Sequence, residues 1–382
     1  MADETGFATM GRATGAEQID EIGVGMLGYA FMGKAHANGF RTLSYMAWPP
    51  PLLPRLVAIA GRDEAAVTEA ARRYGFERAV TDWRAIVEDP EIGLFDNGGP
   101  NDLHAEPTIA AAEAGKHVIC EKPLGRDASE SYEIWKRVAQ TGVVHMCAFN
   151  YRFVPAVRLA RQMVEAGELG EIHHFRGRYL QEWGATSDEA WRFEKDRAGS
   201  GALGDLGTHV VDLARYLVGE IDTVAALTAT FQPGRQVDDA FEAAVRFESG
   251  AVGTIEATRF ATGRKNAFAW EINGSKGSLA FDLERLNELQ ISIGNDGFRT
   301  RLVSEADDPF WAWWWPHGHM IGWEHTFVHE LHHLLEAIAG RTTVAPHGAT
   351  FEDGYRASEV CDAIVASADT GERQAVRYRS LP

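Results

Sequence analysis

Between residues 20 and 150, short apolar segments alternate with helical segments, and few folds are compatible with that pattern. Strands are predicted at Ile22–Leu27, Leu56–Ala60, Leu94–Asp96, His117–Cys120 and Val143–Ala148. Helices are predicted from about Gly33, and at Glu64–Tyr74, Leu103–Ala114 and Ala128–Gln140. This spacing is typical of βαβ units, so we predict a doubly wound parallel sheet.

After Asn150 the pattern changes. Helices are predicted at Val154–Ala166 and Gly204–Leu217, and strands at Phe241–Phe247, Ala251–Ala257 and Ala267–Ile272. Short turns separate these strands, which favours an open, largely antiparallel sheet. We therefore predict a parallel-sheet domain over 20–150 and an α+β domain over 151–382. One face of the open sheet needs cover, and a second subunit would provide it.

Composition and charge exclude several classes of partner. The chain has 37 Lys and Arg against 55 Asp and Glu, a formal net charge of -18. Phosphate contacts need Lys or Arg, so we expect no nucleic-acid or membrane partner. The cysteines Cys120, Cys147 and Cys361 match no metal or disulfide spacing. Residues 1–19 lack the apolar core of a signal peptide, so we expect a disordered tail on a cytoplasmic protein.

Residues 28–33, Gly-Tyr-Ala-Phe-Met-Gly, lie where the first strand meets the first helix. Gly28 permits the tight turn, Ala30 leaves room for a pyrophosphate, and Gly33 allows the helix to pack closely on the strand. The N-terminus of that helix then faces the anion. An overlapping GxGxxG string begins at Gly23, but it lies inside the strand. The segment therefore predicts a dinucleotide site.

The end of the second strand bears on the choice of cofactor. An acidic residue there favours NAD, because it accepts hydrogen bonds from the ribose hydroxyls, whereas an arginine favours the 2′-phosphate of NADP. Here Gly61 occupies the position of the acid and Arg62 follows. This favours NADP slightly, and the neighbouring Asp63 leaves NAD open.

Three further segments accompany the dinucleotide pattern, at Gly99–Glu106, Glu121–Gly125 and Gly204–Asp212. With residues 28–33 they resemble the Gfo/Idh/MocA family of oxidoreductases, and the likeness extends from about Ile22 to Tyr378. Within the family the levoglucosan dehydrogenase-type sugar dehydrogenases are the most similar, on the segments Phe31–His36, Ala148–Arg152, Tyr179–Trp183 and Ala198–Asp205. One departure is Asn97-Gly98 before Gly99-Pro100, where the family usually has a threonine before the proline.

The resemblance implies an NAD(P)-dependent dehydrogenase that oxidises a secondary hydroxyl of a sugar, anhydrosugar, glycoside or cyclitol, or works in reverse. It implies the catalytic residues Lys122, Asp205 and His209. The implied cofactor contacts are Gly28, Ala30, Phe31, Met32, Gly33, Arg62, Gly99, Pro100, Asn101, His104, Glu121 and Lys122. The implied substrate contacts are Lys122, Tyr151, Arg152, Gln181, Trp191, Arg192, Asp205 and His209. We also expect a homo-oligomer, a dimer or tetramer, formed through the C-terminal sheet.

The candidate catalytic residues have suitable chemistry. Asp205 and His209 are spaced i, i+4, so a helix places them on one face, where the carboxylate can orient the imidazole or raise its pKa. Asp212 is a second candidate for that role. Lys122 follows a strand, and its ammonium can stabilise a developing alkoxide; the Lys122–Pro123 bond is a candidate for the cis form. The competing interpretation is a helix N-terminal aspartate and a buried histidine.

Two other functions of the same fold remain open: a glycosidase that uses bound NAD as a catalytic group, and a dinucleotide-sensing regulator without catalysis. The combination of Lys122, Asp205 and His209 counts against the regulator.

Two further motifs each allow a functional and a structural interpretation. His329–His333 matches the HExxH string of zinc proteases, but it continues into an apolar stripe, so we predict a packing helix and no metal. Trp311–Trp315 is aromatic enough either for a lid over a sugar or for a subunit interface.

Overall fold

The computed structural model describes residues 19–186 and 191–382. The predicted tail therefore lies outside the described residues except for Ile19. The first sheet has six parallel strands, β1 to β6: Glu21–Leu27, Leu53–Ala60, Arg78–Val80, Leu94–Asn97, His117–Glu121 and His145–Ala148. Their order, β3-β2-β1-β4-β5-β6, is doubly wound and confirms the predicted parallel sheet. The crevice at the β1/β4 switch point is where such sheets bind ligands.

Five helices connect these strands. The helices α1 to α5 are Phe31–Met46, Glu64–Tyr74, Arg84–Val87, Ala105–Glu113 and Ala128–Ala139. The helix α1 begins two residues before its predicted start. A 3-10 turn at Asn101–Leu103 precedes α4, which therefore begins later than predicted. The strand β3 was not predicted, because it has three residues, none of them fully buried.

A second sheet has nine strands. The strands β7 to β15 are Ile172–Leu180, Ile221–Ala229, Ala240–Phe247, Val252–Thr258, Ala267–Gly274, Gly277–Asp282, Glu288–Ile293, Arg299–Leu302 and Gln374–Ala375. All neighbours are antiparallel except β7 and β10, which confirms the open, largely antiparallel sheet. Along β9 buried and exposed side chains alternate, so one face packs inward and the other is open.

The remaining helices link the two sheets. The helices α6 to α10 are Pro155–Glu165, Lys195–Ala198, Thr208–Val218, His325–Ile338 and Phe351–Thr370. α10 packs against α5, α8 and β8, and α9 packs against α1. A cleft therefore remains between the carboxyl edge of the first sheet and the inner face of the second. Among residues 19–186 and 191–382, no helix has both the length and the apolar character needed to cross a bilayer.

Candidate active site

The cleft between the two sheets contains most of the predicted site residues. The carboxyl ends of β1, β2 and β5 form one wall, through Leu27, Ala60 and Glu121. Its volume is about 1140 Å³, whereas a site for one drug-sized ligand measures roughly 300–1,000 Å³. The cleft therefore has room for a cofactor with a substrate beside it.

The turn after β1 is shaped for close approach of a ligand. Gly28 has a φ of +98°, and a Cβ at this position would lie 2.5 Å from the carbonyl oxygen of Gly98. A Cβ on Gly33 would lie 2.2 Å from the oxygen of Gly28. No side chain caps the N-terminus of α1, and its first turn has no acidic residue. Its backbone N–H groups are therefore available to an anion, and the turn fits a dinucleotide pyrophosphate.

The end of β2 explains why no acid occupies position 61. A Cβ there would lie 2.1 Å from Cε1 of Tyr29, so the tyrosine ring covers the glycine. The hydroxyl of Tyr74 donates to the Tyr29 carbonyl and holds this turn in place. Arg62 lines the cleft and is exposed. Asp63 instead caps α2, because its carboxylate accepts the N–H of Ala66 at 2.8 Å.

The loop after β4 is held together without the family's threonine. Oδ1 of Asn97 accepts the N–H of Gly99, and its Nδ2 donates to the Leu103 carbonyl at 2.9 Å. Gly99, Pro100 and Asn101 line the cleft. His104 does not: it is fully buried, with Nδ1 2.8 Å from the Pro123 carbonyl and Nε2 3.1 Å from that of Gly99. His104, a predicted cofactor contact, therefore supports the loop through hydrogen bonds to two backbone carbonyls.

Lys122 and Asp205 meet inside the cleft. The Lys122–Pro123 bond is cis, and the side chain of Lys122 extends across to a π-helical turn, Leu203–Gly207, that precedes α8. Nζ of Lys122 lies 2.7 Å from the Asp205 carbonyl and 3.3 Å from Oδ1. Although burial alone raises the pKa of Asp205, the cations of Lys122, Arg259 and Arg192 hold that pKa well below its usual value. The carboxylate is therefore ionised.

His209 lies in the first turn of α8 and lines the same cleft. Its Nδ1 is buried and has no hydrogen-bond partner. Burial, reinforced by the Lys122 ammonium, lowers the pKa of His209 well below 6.5, and the opposing effect of Asp205 is smaller. The imidazole is thus neutral at pH 7 and able to accept a proton.

The expected pairing of Asp205 with His209 is not present. The carboxylate of Asp205 binds Lys122 and Arg259, so it neither orients the imidazole nor controls its pKa. Asp212 is not a second orienting group either, because it pairs with Arg152. The i, i+4 spacing correctly places Asp205 and His209 near each other, but cations from distant segments form the ion pairs with the Asp205 carboxylate.

Arg152, a predicted substrate contact, does not line the cleft. It is buried, with Nη2 2.6 Å from Oδ1 of Asp212 and 3.2 Å from Oδ1 of Asp353. Its guanidinium also lies 4.8 Å from the ring centroid of Tyr216. None of these contacts faces the cleft. Arg152 instead connects α8 and α10 beneath the cleft.

A polar wall of side chains opposes the first sheet across the cleft. The hydroxyls of Tyr151 and Tyr179 lie 2.8 Å apart, and Tyr179 donates to Oδ1 of Asn266. Nε2 of Gln181 also donates to Asn266, at 2.6 Å, and Nε1 of Trp183 donates to Gln181. Hydroxyl, amide and aromatic groups of this kind suit a polyhydroxylated ligand.

Trp191 and Arg192 complete the side of the cleft near Asp205. Nε of Arg192 lies 3.9 Å from Oδ1 of Asp205, and its guanidinium lies 4.5 Å from the ring of Trp191. Arg259, which sequence analysis missed, is buried with Nη2 3.1 Å from Oδ2 of Asp205. Only its place at the end of β10 could have indicated a role.

Neither the aromatic segment Trp311–Trp315 nor the HExxH motif His329–His333 lines the cleft. Trp311–Trp315 packs on α9, where Nε1 of Trp314 donates to Nε2 of His329, so a lid over the substrate is not supported. Trp323 and Phe327 line the cleft instead. His329 binds the Phe153 carbonyl through Nδ1, which leaves no nitrogen for a metal. Across the described ranges, no group of three His, Cys, Asp or Glu side chains is arranged to hold a metal ion.

Comparison with known proteins finds relatives along nearly the whole chain. A model of an oxidoreductase family with an NAD-binding Rossmann fold (GFO/IDH/MocA) matches residues 22–149, and a model of the GFO/IDH/MocA C-terminal domain matches residues 157–280. The levoglucosan dehydrogenase of Pseudarthrobacter phenanthrenivorans is 44% identical, covering 92% of this chain and 97% of its own. The inositol 2-dehydrogenase of Rhizobium meliloti is 28% identical, covering 90% and 96%.

Solved structures agree with this result. A levoglucosan dehydrogenase in complex with NADH and levoglucosan has a TM-score of 0.90 and 45% identity, covering 94% of this chain and 100% of its own. An oxidoreductase domain protein from Kribbella flavida has the same TM-score and coverage at 42% identity.

Proposed function

Because the chain belongs to the Gfo/Idh/MocA family of oxidoreductases, we propose that it oxidises a secondary hydroxyl of a sugar, anhydrosugar or cyclitol to a ketone, or catalyses the reverse. The family and its relatives make it a nicotinamide-dependent dehydrogenase of carbohydrates. The observation that carries the finer proposal is the convergence of Lys122 and His209 in a cleft that also contains the dinucleotide turn.

Three residues of the cleft have separate roles in the proposed reaction. His209, neutral at pH 7, removes the proton from the substrate hydroxyl, because no other cleft imidazole is available among the described residues. Lys122 donates to the same oxygen and stabilises its charge as the carbonyl forms. Asp205 holds the ammonium in place. A nicotinamide dinucleotide supplies hydride acceptance when it is bound.

The polar wall supports the substrate class. Tyr151 and Gln181 of the polar wall, with Trp191 and Arg192 near Asp205, present hydroxyl, amide, aromatic and guanidinium groups to the cleft. These groups bind hydroxyls and stack on the apolar face of a sugar ring. The solved levoglucosan dehydrogenase complex and the inositol 2-dehydrogenase relative make levoglucosan and the inositols the first substrates to test.

An absorbance assay tests the function. The purified protein is mixed with NAD or NADP and a panel of levoglucosan, inositols and common sugars. We expect formation of reduced nicotinamide with at least one of them. Absence of reduction together with cleavage of nitrophenyl glycosides would instead indicate the NAD-dependent glycosidase.

We infer a preference for NADP from the end of β2. Tyr29 covers Gly61, so no acid can accept the ribose hydroxyls there, and Asp63 is engaged as a helix cap. Arg62 is the cation placed for a 2′-phosphate. The solved levoglucosan dehydrogenase complexes contain NADH, so a preference for NADP separates this chain from those proteins.

Replacement of Arg62 tests that preference. A hydrogen bond to a charged group contributes roughly 1.5–3 kcal/mol. We therefore expect Arg62→Ala to lower kcat/KM for NADP by about 10- to 100-fold and to change that for NAD by less than about threefold. Arg72→Ala is the control, because Arg72 pairs with Glu69 on the outer side of α2. Equal losses with both nucleotides would contradict the inference.

The pH profile tests the state of His209. Since burial lowers its pKa below 6.5, the basic form is present throughout neutral pH and is lost only as the pH falls. We expect kcat/KM for oxidation to be constant between pH 7 and 8 and its acid limb to have a midpoint below 6.5. A midpoint at 7 or above would mean that Asp205 controls the imidazole after all.

The homo-oligomer and the domain boundary at residue 150 stay predictions. Support for the oligomer comes from the open face of the second sheet, where small side chains such as Ala244 and Ala269 lie among charged ones.

A further inference from the structure

A buried group of four titratable side chains lies at the back of the cleft, and only one of them, Glu121, is part of the cleft wall. The reaction proposed above gives this group no role. His36 comes from α1, Asp96 from β4, Glu121 from the end of β5, and Glu330 from α9. None of the four is more than 3% exposed. Ionised groups are rarely buried so deeply unless they are paired. We therefore expect the members of this group to be paired with one another or to be neutral.

His36 bridges two of the carboxylates. Its Nδ1 lies 2.9 Å from both oxygens of Asp96, and its Nε2 lies 3.1 Å from Oε1 of Glu121. An imidazole donates from both nitrogens only as the cation, so both contacts are hydrogen bonds only in that form. Burial alone lowers the pKa of His36, but Asp96 and Glu121 raise it well above 6.5. The ring of Phe327 closes the remaining side.

Glu121 passes this constraint to the catalytic lysine. While Oε1 binds His36, Oε2 accepts the backbone N–H of Lys122 at 3.0 Å. The side chain of Lys122 then enters the cleft and donates to Asp205. A continuous chain of hydrogen bonds thus runs from Asp96 through His36 and Glu121 to the residue whose ammonium faces the substrate.

We propose that His36 is a positioning residue for the reaction: by bridging Asp96 and Glu121, it holds the carboxylate that fixes the backbone of Lys122. The proposal rests on the role of Lys122 in the proposed function. It assigns no contact between His36 and the substrate or cofactor. The protein uses the buried imidazole to place a cation that lies in another segment, 86 residues further along the chain.

Glu330 provides an internal control for this proposal. Both of its carboxylate oxygens are buried without a partner. Burial, together with the charges of Glu121 and Asp96, raises its pKa well above 4.5 against the opposing effect of His36. Burial therefore favours the neutral, protonated form of this carboxyl group. Glu330→Gln keeps its size and neutrality while leaving the His36 bridge intact.

The test compares turnover with binding in the full-length protein. A displacement of a catalytic group by about 1 Å costs on the order of 100-fold in rate. We expect His36→Gln to lower kcat by about 10- to 100-fold, with KM for the sugar and Kd for the nucleotide within about threefold. Glu330→Gln is expected to retain kcat within about twofold. Asp96→Asn weakens the same bridge but keeps His36, so we expect it to lower kcat by less than His36→Gln does. This variant tests the assignment even if His36→Gln does not fold.

A double-variant comparison separates positioning from a general loss of packing. If His36 acts through Glu121, the His36→Gln/Glu121→Gln pair loses no more kcat than the more affected single variant. Additive losses, an equal loss in Glu330→Gln, or a change in KM alone would overturn the proposal. A wild-type protein that reduces no nucleotide would instead reject the proposed function, which keeps the two failures distinct.

Discussion

Lys122→Met is expected to lower kcat by about 10²- to 10³-fold, the loss typical of removing one donor from a developing oxyanion. Methionine has a similar length but no charge. The neighbouring cations Arg259 and Arg192 already pair with Asp205, so we expect neither to replace the lysine. Lys122 is also an implied cofactor contact, but the turn expected to bind the pyrophosphate belongs to another segment, Gly28–Gly33, so we expect nucleotide Kd to change by less than about threefold.

The measurement is single-turnover nicotinamide reduction beside a fluorescence titration of nucleotide. Lys136→Met serves as the matched control, since Lys136 lies on α5 and its ammonium pairs with Glu133. If kcat of Lys122→Met is within about fivefold of the wild-type value, Lys122 has no catalytic role, because loss of one oxyanion donor lowers kcat far more than that.

His209→Gln is expected to have the second large effect, a fall in kcat of about 10²- to 10⁴-fold, as for loss of a general base. Glutamine has a similar size and polarity but cannot take the proton. The residual activity should also lack the acid limb below pH 6.5, because the group that titrates there is gone. His173→Gln, an exposed position on β7, is the control.

A His209→Gln variant that keeps the acid limb would assign the base to another group. The double variant with Lys122→Met provides a further check: residues that act on one oxygen as a unit give losses that are not additive. Fully additive losses would indicate two independent roles.

The fold was predictable because local patterns determined most of it. The alternation of apolar and helical segments identified five of the six parallel strands, and α2 begins and ends where predicted. The strand β3 was not predicted because its three residues, one exposed and two half-buried, give no periodic signal. The tight turn at Gly28 could also be predicted from the sequence, since a positive φ and close contact with the Gly98 backbone both require a glycine.

The errors in the site arise from long-range partners. Arg152 belongs to a segment shared with sugar dehydrogenases, yet its guanidinium binds Asp212 and Asp353, which are 60 or more residues away in sequence. Asp205 and His209 have helical spacing, but Lys122, which directly follows β5, binds the Asp205 carboxylate. Sequence spacing predicts which residues are neighbours on one element, and it does not predict which group from another element takes the hydrogen bond.

A crystal structure of the protein with reduced dinucleotide and a substrate sugar is the decisive measurement. We expect one secondary hydroxyl of the sugar within about 2.6–3.2 Å of both Nζ of Lys122 and a ring nitrogen of His209. Its carbon should lie about 3–3.5 Å from C4 of the nicotinamide. A sugar bound in the cleft with its reacting carbon beside the nicotinamide but with neither side chain in contact with its hydroxyl would contradict the proposed mechanism.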